Sequence, residues 1–362
     1  MIAPDGFDDP DRPSGGNIYD RRICTGLAAS GWDVRVTTVS GSWPACHRDA
    51  GADLARIIAS TPDGETVLID GLIASTAAEQ LLPHAQRLRL IVLLHMPLAT
   101  AIDLHHGEVA RQSERAVLSA VAGVVVTSDW TRQQVVARFP IPPDLVHVAR
   151  PGVDRAERVE RADARSDGPG DRLLCVGAVV PHKGQDLLIE ALGRLSEVDW
   201  QCTIVGSLDR DPRFVERLRD RIVRLGIGSR VRLAGMLTGG TLDRAYVDAD
   251  LLVVPSRSET YGMVVTEALA HGIPVIGAAV GGLPEALGLT ADGVCPGRLV
   301  TPDDPVVLGA ALDEWLRDGS HRRLLRGAAL RRRSTLAGWD QTVRDLEIAL
   351  TSVEANAQAT IP

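Results

Sequence analysis

Lysine is almost missing from this chain: of its 39 basic residues, 38 are arginines and one is Lys183. A coding background that puts arginine wherever arginine serves leaves the survivor as a candidate for a place that needs a compact point charge. Basic charge is short overall, and a net charge of −8 over 362 residues argues against a general affinity for nucleic acid. Long apolar runs are missing too, since nothing approaches the ~18 residues of a membrane span. The five cysteines are odd in number, scattered and without a C-x-x-C pair, which points to a reducing cytoplasm. Cys175 and Cys202 lie in apolar runs and read as core residues. No ligand cluster with metal spacing stands out. The opening MIAPDGFDDPDRP is acidic and proline-rich, unlike a signal peptide. No internal repeat is visible.

What is present is long enough for two domains, with the 45% hydrophobic and 24% charged content of an ordinary globular protein. The most informative stretch is LLVVPSRSETYGMVVTEALAHGIPVI, from Leu251 to Ile276. Leu251 to Pro255 reads as a buried strand closed by proline, and Ser256 to Thr260 as a loop. Gly262 to His271 reads as a helix stopped by Gly272, and Ile273 to Ile276 begins another strand. Strand, loop, helix, strand is a unit of a parallel α/β sheet. The amides of Tyr261 to Val264 fall in the first helical turn, where donors lack intrahelical partners and the dipole favours an anion. Glu259 lies in the loop and Glu267 in the helix. Acidic groups on both sides of an anion site fit a ligand with phosphate in the middle and hydroxyls at its ends, such as a nucleotide-diphosphate sugar.

Upstream, Ile2 to Pro4 reads as the tail of a first strand whose greater part is missing. Gly15 and Gly16 stand at the mouth of a helix, where glycine lets an anion approach the backbone. Strands follow at Val34–Val39, Thr66–Asp70, Arg89–Leu94, Gly123–Thr127 and Leu145–Val148. His95 comes directly after Leu94, and a polar residue there faces the ligand crevice of an open α/β sheet. His105 and His106 read as surface residues, and Ser128 or Asp129 as a helix N-cap. Arg155 to Arg172 has no apolar periodicity and reads as an exposed linker. Lys183 lies in a glycine-flanked loop between the strand Leu173–Val176 and the next helix. Gly206, and Gly235 with Met236, follow further strands. Asp248-Ala249-Asp250 resembles a metal-binding D-x-D, but it joins a helix end to a strand and reads as structural. Pro302 to Arg333 reads as helical.

Pro255, Ser256, Glu259, Tyr261, Gly262, Glu267, Ala268, Gly272, Pro274 and Val275 together resemble the donor-site signature of retaining glycosyltransferases of family 4, the glycosyl transferases group 1. The resemblance covers nearly the whole chain and is strongest from Leu173 to Leu287. It implies the GT-B fold: two Rossmann-like α/β/α domains facing each other across a cleft, with a C-terminal helix crossing back to the first. The boundaries follow as an acceptor domain over 1–154, a donor domain over 155–335 and the returning helix over 336–362. It further implies that Gly15, Gly16, Lys183 and the amides at Tyr261, Gly262, Met263 and Val264 hold the donor diphosphate. Glu259 would hold the sugar, Glu267 the ribose, the backbone near Gly206, Gly235 and Met236 the rest of the nucleotide, and His95 the sugar or acceptor. One position departs from the family. Its usual arginine is Ala178 here, and Arg257, Arg210 or Arg150 would have to substitute.

The function implied is retaining transfer of a sugar from a nucleotide-diphosphate sugar, UDP- in preference to GDP-, to a small or soluble acceptor in the cytoplasm. His95, Lys183 and Glu259 are the candidate catalytic groups, and no metal or other cofactor is expected. Through Asp154 the chain has 13 arginines and 18 acidic residues, a formal charge of −5, so an anionic membrane should repel this part. The oligomeric state stays open. The rivals are a pyridoxal-phosphate-dependent phosphorylase, a nucleotide-sugar epimerase of the same fold and a non-catalytic nucleotide-sugar-binding protein.

Overall fold

In the computed structural model, which describes residues 1–9, 14–41, 43–44, 48–98, 108–155 and 168–359, the chain divides into two compact units. One is Met1–Gly152 with Ala337–Pro362, the other Val153–Leu336. Among the described residues each unit contains one six-stranded sheet, and every recorded strand pairing is parallel. His105, His106, Cys46 and most of the expected linker lie outside the described residues.

The first sheet is built from β1 (Ile2–Pro4), β2 (Thr37–Val39), β3 (Thr66–Asp70), β4 (Arg89–Leu94), β5 (Gly123–Val126) and β6 (Val146–Val148), in the order β2-β1-β3-β4-β5-β6. Its strands are near-continuous apolar runs because helices cover both faces, and the period of two sends alternate residues to opposite sides. Leu90, Val92 and Leu94 pack with Leu54, Ile58 and Val117. Ile91 and Leu93 pack on the other face with Tyr19, Ile23 and Leu27 and with Val343, Leu346, Leu350 and Val353. Those last four lie on the C-terminal helix Trp339–Ala359, which returns to the first unit as the resemblance implied. Each buried side chain of this size contributes roughly 1.5–3 kcal/mol, enough to hold the helix there. Gly26 is small for the same reason, because a Cβ on it would lie 2.2 Å from Val343 Cγ2.

The second sheet is built from β7 (Arg172–Val176), β8 (Gln201–Val205), β9 (Val231–Gly235), β10 (Leu251–Val254), β11 (Val275–Ala278) and β12 (Gly297–Val300), in the order β12-β11-β10-β7-β8-β9. Leu173, Cys175, Leu251 and Val253 share one core with Trp200 and Trp315. Leu174, Leu252 and Val254 share the other with Val265, Ala268 and Leu269. Cys175 and Cys202 are core residues, and burial pushes both thiols up, that of Cys175 to about 12.

Several boundaries differ from the sequence reading. The second strand is Thr37–Val39 rather than Val34–Val39. The strand after Leu145 begins at Val146, because Pro143–Leu145 forms a 3-10 turn. The segment after Pro302 is two helices, Pro305–Arg317 and Gly319–Arg333, and Asp318 caps the second through the Ser320 and His321 amides. Ser128, not Asp129, is the N-cap of Asp129–Arg138. Asp250 is structural. It is buried, accepts from the Arg172 amide at 3.2 Å and pairs with Arg326 at 3.3 Å.

Candidate active site

In an open parallel sheet the ligand crevice lies outside the carboxyl ends of the strands, where the strand order reverses. In the second unit that point is between β7 and β10, and the two loops flanking it carry Lys183 and Glu259. Lys183 ends the 3-10 turn Pro181–Lys183. Gly184 follows with φ +68° and sits so close to β10 that a Cβ would lie 2.1 Å from the Pro255 carbonyl oxygen. This contact draws the two loops together. Lys183 Nζ donates to Glu259 Oε1 at 2.6 Å, and Ser256 Oγ donates to the same oxygen at 3.0 Å. The Glu259 backbone is held from behind, where its carbonyl accepts the Gly282 amide at 3.0 Å. Gly281, at φ +54°, leaves no room there for a side chain.

The neighbouring loops end at the same edge of the sheet. The Val179 amide donates to the Ser207 carbonyl at 2.9 Å, and the Gly206 amide to that of Gly235 at 2.9 Å. Met236, 39% exposed, follows Gly235. The helix Met263–Ala270 starts after Gly262. The Val265 amide turns back to the Gly262 carbonyl at 2.9 Å, while among the described residues no acceptor is recorded for the amides of Met263 and Val264. Tyr261 is buried beside this helix in the core.

Glu267 is placed by a residue that the sequence reading did not single out. Tyr246 Oη donates to its Oε2 at 2.6 Å. The His271 ring stacks on Tyr246 with centroids 5.0 Å apart. Burial raises the Glu267 pKa, the Tyr246 bond opposes this, and Asp154 and Asp243 add to it. The signal that could have found Tyr246 is that it is one of only three tyrosines in the chain.

The absent family arginine is not replaced by Arg257. Its guanidinium is forked onto Asp186, with both nitrogens at 2.8 Å, and Nε meets Asp303 at 2.7 Å. It thus ties its own loop to the first turn of the helix Gln185–Gly193 and to Asp303 instead of standing free for an anion. Arg150 pairs with Asp129 in the first unit. Arg210 is exposed. The Ala178 carbonyl accepts from buried Gln185 at 2.9 Å, which fixes that turn.

In the first unit the order reverses between β1 and β3. Gly15 and Gly16 open the helix Gly15–Ala29, whose N-cap Ser14 accepts the Asn17 amide at 3.0 Å. His95 follows β4, and a Cβ on Gly16 would lie 3.3 Å from its Cδ2. The sequence showed no ligand cluster with metal spacing, yet the fold gathers Asp20, Asp70 and His95, with one ligand atom from each within 4.8 Å of the others. The His95 pKa is raised: burial opposes its charge, and the Asp20 carboxylate and then Asp70 more than offset that. Gly15, Gly16 and His95 therefore belong to the first unit. Lys183, Gly206, Gly235, Met236, Glu259, Tyr261, Gly262, Met263, Val264 and Glu267 belong to the second.

Residues 157–332 match the family described as glycosyl transferases group 1. The second unit belongs to that family. The chain is 34% identical over 258 residues to D-inositol 3-phosphate glycosyltransferase 1 of Catenulispora acidiphila, covering 67% of this chain and 60% of that protein. It is 33% identical over 256 residues to the D-inositol 3-phosphate glycosyltransferase of Salinispora tropica, covering 64% and 51%. The chain thus spans between half and three-fifths of the length of these two relatives. Among solved structures it is similar to the sucrose-phosphate synthase of Thermosynechococcus elongatus, with TM-score 0.78 and 22% identity over 98% of this chain and 99% of that one. It is also similar to Anabaena HepE in complex with UDP-glucose, with TM-score 0.75 and 18% identity over 97% and 99%. These likenesses establish the GT-B fold. No described helix is long and apolar enough to cross a membrane.

Proposed function

We propose that this protein is a retaining glycosyltransferase of family 4 that moves a sugar from a nucleotide-diphosphate sugar, UDP- in preference to GDP-, to a small, soluble acceptor in the cytoplasm. The observation that carries the reading is the meeting of Lys183 and Glu259 at the switch point of the group 1 unit. A cation and a sugar-binding carboxylate side by side suit the junction between a diphosphate and a hexose. The amides of Met263 and Val264 add donors for the phosphate, and Glu267 accepts from the ribose. No side chain is assigned as a nucleophile. The leaving phosphate oxygen takes the acceptor proton, while the protein stabilises the diphosphate and orients both substrates. Both relatives named above carry D-inositol 3-phosphate in their names, so a phosphorylated polyol is the first acceptor to try. The four described cysteines are free, which suits a reducing compartment.

The test is a screen of UDP-, GDP- and ADP-sugars against D-inositol 3-phosphate and other polyols, read by mass spectrometry, with the anomeric configuration of any product read by NMR. An α-linked product from an α-configured UDP-sugar is expected. An inverted product would remove the retaining mechanism. Donor binding without turnover of any acceptor would favour a binding protein, and conversion of the donor alone would favour an epimerase.

A further inference from the structure

Three titratable side chains meet in the first unit: Asp20 on the helix Gly15–Ala29, Asp70 at the end of β3 and His95 directly after β4. His95 Nε2 lies 2.7 Å from Asp20 Oδ1 and 4.0 Å from Asp70 Oδ2. The carboxylates are 1% and 3% exposed, whereas the ring keeps 20%. Two adjacent buried carboxylates do not both stay ionised unless positive charge or protons offset them. A protonated His95 ring offsets one, and the other needs a proton or a metal ion.

The geometry favours a proton. Asp70 Oδ1 is occupied by the Leu72 amide, which donates to it at 2.6 Å. Asp20 Oδ2 is buried and has no partner among the described residues, so it is an acceptor awaiting a donor. An acid proton on Asp70 supplies that donor. In agreement, burial and then the charge of Asp20 push the Asp70 pKa up to about 7, against the opposing effects of His95 and the Leu72 amide. The other groups around the ring do not supply the missing charge. Tyr19 meets it edge-on at 5.2 Å, gives its hydroxyl to the Ala149 carbonyl at 2.8 Å and is held un-ionised by burial. Cys24 is further along the same helix, with its thiol pushed up to about 11 by burial. Asp345, on the C-terminal helix, acts on Tyr19.

We propose that Asp20 is the positioning residue of His95: it accepts the Nε2 proton, fixes that tautomer and leaves Nδ1 as the ring atom offered to substrate, with Asp70 beside the pair. Among the described residues Nδ1 has no hydrogen-bond partner. Its meeting with substrate rests on the function proposed above, but the tautomer does not. Gly16 has a place in this arrangement, because it lets the helix start lie against the ring.

The test uses no substrate, so it stands apart from the transferase reading. The full chain is labelled with 15N-histidine, His95 is assigned by His95→Gln, and long-range proton–nitrogen NMR is followed with pH. In the wild type the neutral ring should carry its proton on Nε2. Asp70→Asn, which mimics the protonated acid, should keep that tautomer. Asp20→Asn should lose it and lower the His95 pKa by about one unit or more. Circular dichroism checks each fold, and the wild-type spectrum decides the tautomer even if Asp20→Asn does not fold. Three results overturn the proposal: a wild-type ring protonated on Nδ1, a folded Asp20→Asn protein with unchanged tautomer and pKa, or an EDTA-reversible shift of His95 on adding one equivalent of Zn2+ or Mn2+. The last would make the cluster a metal site.

Discussion

Lys183 Nζ and Glu259 Oε1 lie 2.6 Å apart although 76 residues separate them in the chain. The single lysine of the protein is thus spent on the loop that carries the acidic part of the group 1 signature. A planar guanidinium fork would meet Glu259 and a phosphate differently from a point charge. We expect Lys183→Ala to lower kcat/KM at least ~10²-fold, or ~2.7 kcal/mol of transition-state stabilisation. Lys183→Arg should recover part of that. Because the two groups touch, Lys183→Ala with Glu259→Ala should be non-additive by roughly 0.5–3 kcal/mol. A near-wild-type Lys183→Ala protein in steady-state kinetics would mean that other groups hold the diphosphate.

Ala178 stands where the family has arginine, and Arg257 is committed to Asp186 and Asp303. Ala178→Arg should therefore partly rescue Lys183→Ala, since a diphosphate lacking compensation is costly to bury. The readout is kcat/KM of the double variant against the single one. No gain would show that the second cation is not what this turn lacks.

Glu267 and Glu259 should separate by ligand. Glu267→Ala is expected to weaken binding of bare nucleotide diphosphate by roughly 1.5–3 kcal/mol, as a charge-assisted bond to ribose is lost. Tyr246→Phe removes the hydroxyl that orients Glu267 and should cost roughly 0.5–1.5 kcal/mol. Glu259→Ala should bind bare nucleotide about as well as wild type. Equal losses in the Glu267 and Glu259 variants, measured by calorimetry, would contradict this division.

Asp70 should make stability depend on pH in a definite direction. Its pKa is raised from 3.8 to about 7 in the fold by burial and by Asp20. Between those values the folded chain holds a proton that the unfolded chain has released, so this group makes stability fall as pH rises through that window. His95, also raised, acts with the same sign above its ordinary value of 6.5. Asp70→Asn should flatten the Asp70 part of the slope in melting curves from pH 4 to 7. An unchanged difference between the two proteins across that range would place the Asp70 proton elsewhere.

Donor binding should not need a divalent metal, because Lys183 and helix amides supply the positive potential in the second unit. Calorimetric titration of nucleotide diphosphate should give the same affinity with and without EDTA, and a collapse in EDTA would rule this out.

The sequence by itself determined the parallel α/β units, the buried strands such as Leu251–Val254, and the candidate loops around Lys183 and Glu259. Apolar period, proline and glycine are local signals, and a strand buried on both faces must be written in apolar residues. It did not determine which loops meet. The strand order β12-β11-β10-β7-β8-β9 is what sets Lys183 beside Glu259, and packing of the helix Gly239–Asp248 is what brings Tyr246 to Glu267. Asp20 and Asp70 gave no local sign of a shared site. Asp20 reads as a polar residue on a helix and Asp70 as the end of a strand. Only the reversal of strand order between β1 and β3 buries them together against His95. The same holds for Arg257, which the sequence offered as a spare cation and the tertiary structure ties to Asp186 and Asp303. A side chain's charge is written in the sequence, but its partner is decided by contacts between distant segments, and at a buried site the partner fixes the chemistry.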